Sequence, residues 1–123
     1  MHEAHFPGRA PIDAYGNGGF RFANMSHKGS LLCLPSGIYA WDVSQADDLT
    51  YENLATLFKE ADEIEVLLIG SGKELIPIRP DLRKKLQSHN ISADAMSTSA
   101  AVRTLNVLIS EGRAVAAALL AVE

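Results

Sequence analysis

Four consecutive apolar residues, Val66-Leu67-Leu68-Ile69, stand between Glu65 and the glycine-rich Gly70-Ser71-Gly72, and no other feature limits the fold as much. A strand with one wet face alternates polar and apolar residues, whereas an unbroken Val/Leu/Ile run is buried on both faces, as in a parallel sheet covered by helices. The surrounding residues supply those helices. Thr50 predicts a cap for a helix carrying Asn53, Leu54, Leu57 and Phe58 at helical spacing. Pro80 in a first turn opens a second helix over Asp81 to His89, with Leu82 and Leu86 on one face. Ile91 to Met96 alternates and predicts a strand. Ser97, Thr98 and Ser99 offer caps for a helix running to Glu111, with Ala101, Leu105, Leu108 and Ile109 as its apolar stripe, and Gly112 stops it.

The tail, Arg113 to Glu123, admits two readings. Alanine-rich Ala114 to Val122 has helical propensity. Its apolarity all round, its length and its place just past a glycine stop fit a central strand that completes an open β-α-β-α sheet, and a strand is the reading taken here. Upstream, Ile12 to Tyr15 and Phe20 to Phe22 alternate on either side of Gly16-Asn17-Gly18-Gly19, a hairpin signal. Met25 to Gly29 is expected to form a second turn, followed by a buried strand Ser30 to Leu34. Pro35-Ser36-Gly37 interrupts it and Ile38 to Trp41 continues in extended form. The whole predicts an α/β fold with a mixed central sheet. At 123 residues it is expected to be one domain, with residues 1–11 as a mobile N-terminal arm.

Eleven basic and fifteen acidic residues leave a net charge of −4, which argues against a coat for nucleic acid or anionic lipid. The charge is segregated. Eight acids (Asp42, Asp47, Asp48, Glu52, Glu60, Asp62, Glu63, Glu65) lie with one base, Lys59, between Asp42 and Glu65; Lys73, Arg79, Arg83, Lys84 and Lys85 follow, against Glu74 and Asp81. Such runs are either solvated faces or a docking surface for a partner. In the second reading Asp47, Asp48, Arg83 and Lys84 take part, with Trp41 as an anchor; Trp41 equally suits the core. A nucleic-acid site on Arg79, Arg83, Lys84 and Lys85 is the least supported reading. No segment has the roughly 20 apolar residues of a membrane span, and the N-terminus lacks the pattern of a secretory signal. No membrane insertion is expected, and the cytoplasm is the expected compartment.

Glycines at the end of a parallel strand invite a phosphate-loop reading of Gly70-Ser71-Gly72-Lys73. The detail departs from it: Leu67 stands where a Walker loop needs glycine, Glu74 where it needs Ser or Thr, and Leu75 where the dinucleotide fingerprint needs its third glycine. A tight turn is the plainer reading of this loop. What survives is a crevice in which Gly70, Ser71 and Gly72 meet Ser97 and Thr98 at a helix N-terminus, with Asp94 and Arg103 in reach, able to hold a small anion. The same hydroxyls serve equally as caps. His2, His5, His27 and His89 follow no metal spacing, Cys33 sits in an apolar run, and no acid pair or triad stands out. No metal, no cofactor and no catalytic residue are expected.

Four segments taken in order carry a resemblance: Gly16-Asn17-Gly18-Gly19-Phe20-Arg21-Phe22; Ser30 to Asp42, ending Tyr39-Ala40-Trp41-Asp42; Leu68-Ile69-Gly70-Ser71-Gly72; and Ser99-Ala100-Ala101-x-Arg103-x-Leu105-Asn106-x-Leu108 before Glu111-Gly112-Arg113. Together they resemble the small family related to the mitochondrial respiratory complex I assembly factor number three, a domain-of-unknown-function family, from Ile12 to Val122. The resemblance implies a three-layer α/β fold with a mixed central sheet of about five strands, an accessory N-terminal β-hairpin layer, and an extended final segment. It further implies a bacterial, cytoplasmic relative of proteins linked to assembly of the NADH:ubiquinone oxidoreductase and not regarded as enzymes. The expected function is then a non-enzymatic interaction with another protein, in an assembly or stability role, with self-association open. The alternative is a small anionic ligand, or an enzyme, using the crevice at Gly70, Gly72 and Thr98.

Overall fold

The computed structural model describes residues 6–123. Among the described residues, nine strands occur in the order β1 (Phe6–Pro7), β2 (Ala14–Gly16), β3 (Gly19–Phe22), β4 (Met25–Lys28), β5 (Ser30–Leu34), β6 (Gly37–Trp41), β7 (Val66–Gly70), β8 (Ser92–Met96) and β9 (Val115–Leu119). Three helices accompany them: α1 (Ala55–Phe58), α2 (Pro80–Ser88) and α3 (Thr98–Ser110). The main sheet has the strand order β1-β6-β5-β9-β7-β8, and β2-β3-β4 form a separate antiparallel sheet.

The apolar run lies where its composition requires. β7 is sandwiched between two parallel neighbours, with Leu67 opposite Ala93 of β8 and Ala116 of β9. The tail is extended: β9 also pairs antiparallel with β5, Leu32 opposite Ala118. Alternation along these strands divides the core. Leu32, Leu34, Leu67, Ile69, Ala116 and Ala118 face α1 and α2, meeting Leu54, Leu57, Leu82 and Leu86. Leu31, Cys33, Leu68, Val115, Ala117 and Leu119 face the other way, onto α3 and onto Phe20 and Phe22 of the small sheet. These are the three layers of the α/β expectation.

The structure corrects several details. The main sheet has six strands rather than about five, because Phe6–Pro7 pair with Ile38 and Gly37 at its edge. From Phe6 onward the expected N-terminal arm is laid on the body: Arg9 donates from Nη1 to the carbonyls of Arg113 and Val115 (both 3.1 Å). Residues 1–5, including His2 and His5, lie outside the described residues. The accessory layer contains the expected hairpin, β2–β3, extended by a third strand. Met25–Lys28, expected as a turn, is strand β4; the turn falls at Ala23 and Asn24, both with positive φ (49° and 62°). This matches the two-residue turn at Asn17 and Gly18 (54° and 78°), because paired positive φ values suit the twist of a hairpin.

The helix expected from Thr50 is broken. Thr50 Oγ1 does accept from the Asn53 N–H (3.2 Å), but a 3-10 turn, Glu52–Leu54, precedes the single helical turn of α1. The cause is Asn53, whose backbone carbonyl accepts from Trp41 Nε1 (2.8 Å) while its side-chain Nδ2 donates to the Asp48 carbonyl. Groups committed to these tertiary partners are diverted from a regular helical ladder.

Gly19 admits no side chain: a Cβ there would lie 2.2 Å from the His27 carbonyl oxygen, inside the β3–β4 pair. Gly19→Ala is expected to cost more than about 2 kcal/mol by strain, read as a lower urea midpoint; an unchanged midpoint would contradict the pairing. Burial pushes the Cys33 thiol up from 9.0 to about 12. Above pH 9 the unfolded chain therefore releases this proton while the folded chain keeps it, so stability falls as pH rises towards the folded value. The stability advantage of wild type over Cys33→Ala should shrink by about 2 kcal/mol between neutral pH and about pH 10.5, by urea denaturation.

Candidate functional site

Where β7 ends, the chain must pass beneath the N-terminus of α3, and Gly70 makes that passage possible. A Cβ at Gly70 would stand 3.0 Å from Thr98 Cα and 3.1 Å from Thr98 Oγ1 and Leu119 Cδ2. Through that gap Thr98 becomes a fully buried junction. Its N–H donates to the Gly72 carbonyl (2.8 Å), its hydroxyl accepts from the Gly72 N–H (3.0 Å) and donates to the Leu120 carbonyl (2.7 Å). The Leu120 N–H donates to the Gly70 carbonyl (2.9 Å), closing a ring that joins β7, α3 and the end of β9.

Of the expected anion crevice, Gly70, Ser71, Gly72, Ser97 and Thr98 come together, and their polar groups bond to one another or to neighbouring backbone. Ser97 Oγ accepts from the Ala100 N–H (3.2 Å), an ordinary helix cap. Ser71 is buried. Its N–H donates to the Met96 carbonyl (2.8 Å); its hydroxyl donates to the Glu74 carbonyl (2.6 Å), lies 3.0 Å from the Met96 carbonyl and accepts from the Ile76 N–H (2.9 Å). Among the described residues every buried side-chain polar atom has a partner. Arg103 is exposed, about 140° around α3 from buried Thr98, so the two do not face one point. Asp94 is exposed on the edge strand β8.

This network holds a loop. Ser71 draws the backbone at Glu74 and Ile76 around its hydroxyl, and buried Ile78 pins the far end ahead of α2. Between those anchors Leu75 is 59% exposed and Ile76 42%. Two branched apolar side chains are therefore displayed on a braced loop. Behind it lies a narrow cleft of about 10 Å³, lined by Trp41, Ala46, Leu49, Ile76, Pro77 and Arg79. Trp41 is buried and serves the core reading. Asp47 and Asp48 are exposed on the 3-10 turn Ala46–Asp48, which carries one wall of that cleft. Arg83 and Lys84 are exposed on α2, where Arg83 Nη1 donates to the Ala93 carbonyl of β8 (3.1 Å). Nearby Lys85 Nζ stands 4.8 Å over the Tyr51 ring, which contacts Phe58 at 4.6 Å between centroids.

Leu75 and Ile76 were not singled out by sequence reasoning. The available signal was an apolar pair in a segment bounded by Gly72 and Pro77, where a turn leaves it nothing to pack on. Asn106 was also missed as a clasp: its Oδ1 accepts from the Ile12 N–H and its Nδ2 donates to the Ile12 carbonyl (both 2.9 Å), as a strand neighbour would. Among the described residues no group of His, Cys, Asp and Glu is arranged to hold a metal ion.

The family model for the protein of unknown function DUF498/DUF598 matches residues 12–120. The chain belongs to that family. An uncharacterized protein of Rhodobacter capsulatus is 38% identical over 96% of this chain and 90% of its own length. The mouse NADH dehydrogenase [ubiquinone] 1 alpha subcomplex assembly factor 3 is 27% identical over 96% of this chain, which spans 64% of the mouse protein. A crystal structure described as an outer membrane protein of Bartonella henselae superposes with a TM-score of 0.93 and 60% identity, covering 97% of this chain and all of that one. That description belongs to the Bartonella protein. Among the described residues here, no helix is long and apolar enough to cross a membrane. The family resemblance and the α/β fold of the sequence analysis both stand.

Thr98→Val keeps the shape of the junction and removes its hydroxyl. The Gly72 N–H and Leu120 carbonyl then lose their partner, at an expected cost of about 1–3 kcal/mol. The measurement is urea denaturation, with faster amide exchange at Gly72; wild-type values for both would show that the ring does not brace the loop.

Proposed function

We propose that this chain is a non-enzymatic protein-interaction domain, acting in the cytoplasm to help assemble or stabilise a membrane-associated complex of the respiratory type. The observation that carries the reading is the braced display of Leu75 and Ile76 beside charges of both signs. A loop already ordered by its own hydrogen bonds loses little freedom on docking, so its apolar area counts more fully towards affinity. Asp47 and Asp48, on the turn that carries one wall of the cleft behind the loop, and Arg79, in the lining of that cleft, suit the polar rim of such a contact, which orients a partner more than it strengthens binding; Arg83 and Lys84 lie further along α2. The sequence relation to the mouse assembly factor supports the assembly role. The net charge of −4 favours a protein partner over nucleic acid. In this reading the cluster at Gly70, Ser71, Gly72, Ser97 and Thr98 serves the loop as a scaffold, since the donors of Ser71, Gly72 and Thr98 already have acceptors within the chain.

The test uses the full chain, tagged at its native expression level and recovered from membranes. Subunits of a respiratory NADH dehydrogenase should accompany it. The double variant Leu75→Asp, Ile76→Asp should reduce that recovery about tenfold or more while the melting temperature holds, because both side chains are already exposed. Equal recovery with the variant, or recovery of the tagged protein alone or only with copies of itself, would sink the proposal.

A further inference from the structure

The small sheet has a second face, and it is cationic. Phe20 and Phe22 point into the core, so their neighbours on the strands point outward. The register sets those outward residues in two rows: Ala14, Arg21 and Ser26 in one, Gly16, Gly19 and Lys28 in the next. The two glycines of the second row carry no side chain, and they leave a hollow of about 300 Å³ whose lining includes Arg21, Ser26, Lys28 and Asn17 and holds no acidic residue. Arg21 and Lys28 are diagonal neighbours across β3 and β4, roughly 7–8 Å apart at the backbone. Neither has an ion-pair partner among the described residues. Two like charges brought together on one face, in a chain of net charge −4, repel each other until an anion sits between them.

We propose that this hollow binds a small phosphate monoester bearing a flat ring. The guanidinium of Arg21 presents a planar fork matched to an oxyanion, Lys28 adds a point charge, and the Ser26 hydroxyl supplies a further donor. The floor at Gly16 and Gly19 is bare backbone on which a planar group lies flat. The volume is at the lower end of small-molecule sites, enough for one ring and its phosphate. This is a different anion site from the one the glycines at Gly70 and Gly72 suggested. Here the cations are present and uncommitted; there the donors are consumed by the fold.

The experiment is an amide NMR titration of the full chain with phenyl phosphate, inorganic phosphate and phenol in parallel, at fixed ionic strength. Phenyl phosphate should give saturable shifts at Gly16, Gly19, Arg21 and Ser26. Inorganic phosphate should bind there more weakly, and phenol should leave those amides unmoved. Arg21→Gln and Ser26→Glu, both at exposed positions, should each raise the phenyl phosphate Kd about tenfold or more, whereas Arg103→Gln on α3 should leave it unchanged. Absence of saturable shifts, shifts spread over all basic surfaces, or an unchanged Kd in Arg21→Gln would overturn the site. Inorganic phosphate binding as tightly as phenyl phosphate would overturn the role given to the glycine floor. Leu75 and Ile76 take no part, so this result and the membrane recovery fail independently.

Discussion

One strand joins the two halves of this molecule. β9 pairs antiparallel with β5 on one side and parallel with β7 on the other, so it is the seam between an antiparallel N-terminal half and a parallel C-terminal half. Its core, Ala116-Ala117-Ala118, is fully buried. Alanines suit that place: they fill little space, so layers on both faces approach closely, and their helical propensity is overridden by two ladders of backbone hydrogen bonds. Remove that seam and β5 and β7 no longer share a sheet, the two apolar faces lose their common floor, and α3 has nothing to lie across.

The end of the seam also decides the chemistry of the glycine loop. Leu120 offers its carbonyl to Thr98 and its N–H to Gly70 just as β9 runs out. A loop that looked open to an anion is thereby closed by the chain's own backbone. The consequence runs outward: with its base immobilised, the loop displays Leu75 and Ile76 as a firm apolar edge. Order at the buried end and exposure at the tip are two parts of one arrangement. On the small sheet the reverse holds. Gly19 is demanded by the His27 carbonyl, and the bare floor it leaves, flanked by Arg21 and Lys28, has no internal partner to fill it.

Legibility followed the range of the interactions concerned. Val66 to Ile69 could be placed at the centre of a sheet because its composition admits no other environment, and Pro80 and Ser97 open their helices because the signals are local. Misplacements arose where distant groups intervened. Asn53 looked like part of one helix until Trp41 and Asp48 claimed its polar atoms. Ala23 is not a turn former, and it adopts positive φ because the β3–β4 register places the turn there. Phe6–Pro7 carries too short a pattern to announce a strand and is held by β6. In the candidate site, the meeting of Gly70, Gly72 and Thr98 was legible from topology, while the saturation of their hydrogen bonds was not.

By itself the sequence determined the periodicities, and through them the layers: a doubly buried strand, two amphipathic helices, a glycine-turned hairpin and an apolar tail. Those depend on neighbours a few residues apart, and burial of apolar area rewards the same pattern wherever it occurs. Only the tertiary structure decided which polar groups remain available for a ligand or partner. A glycine, a serine or an arginine has the same donors in every sequence; whether they are free depends on which carbonyl or carboxylate, far along the chain, comes to lie within hydrogen-bonding distance.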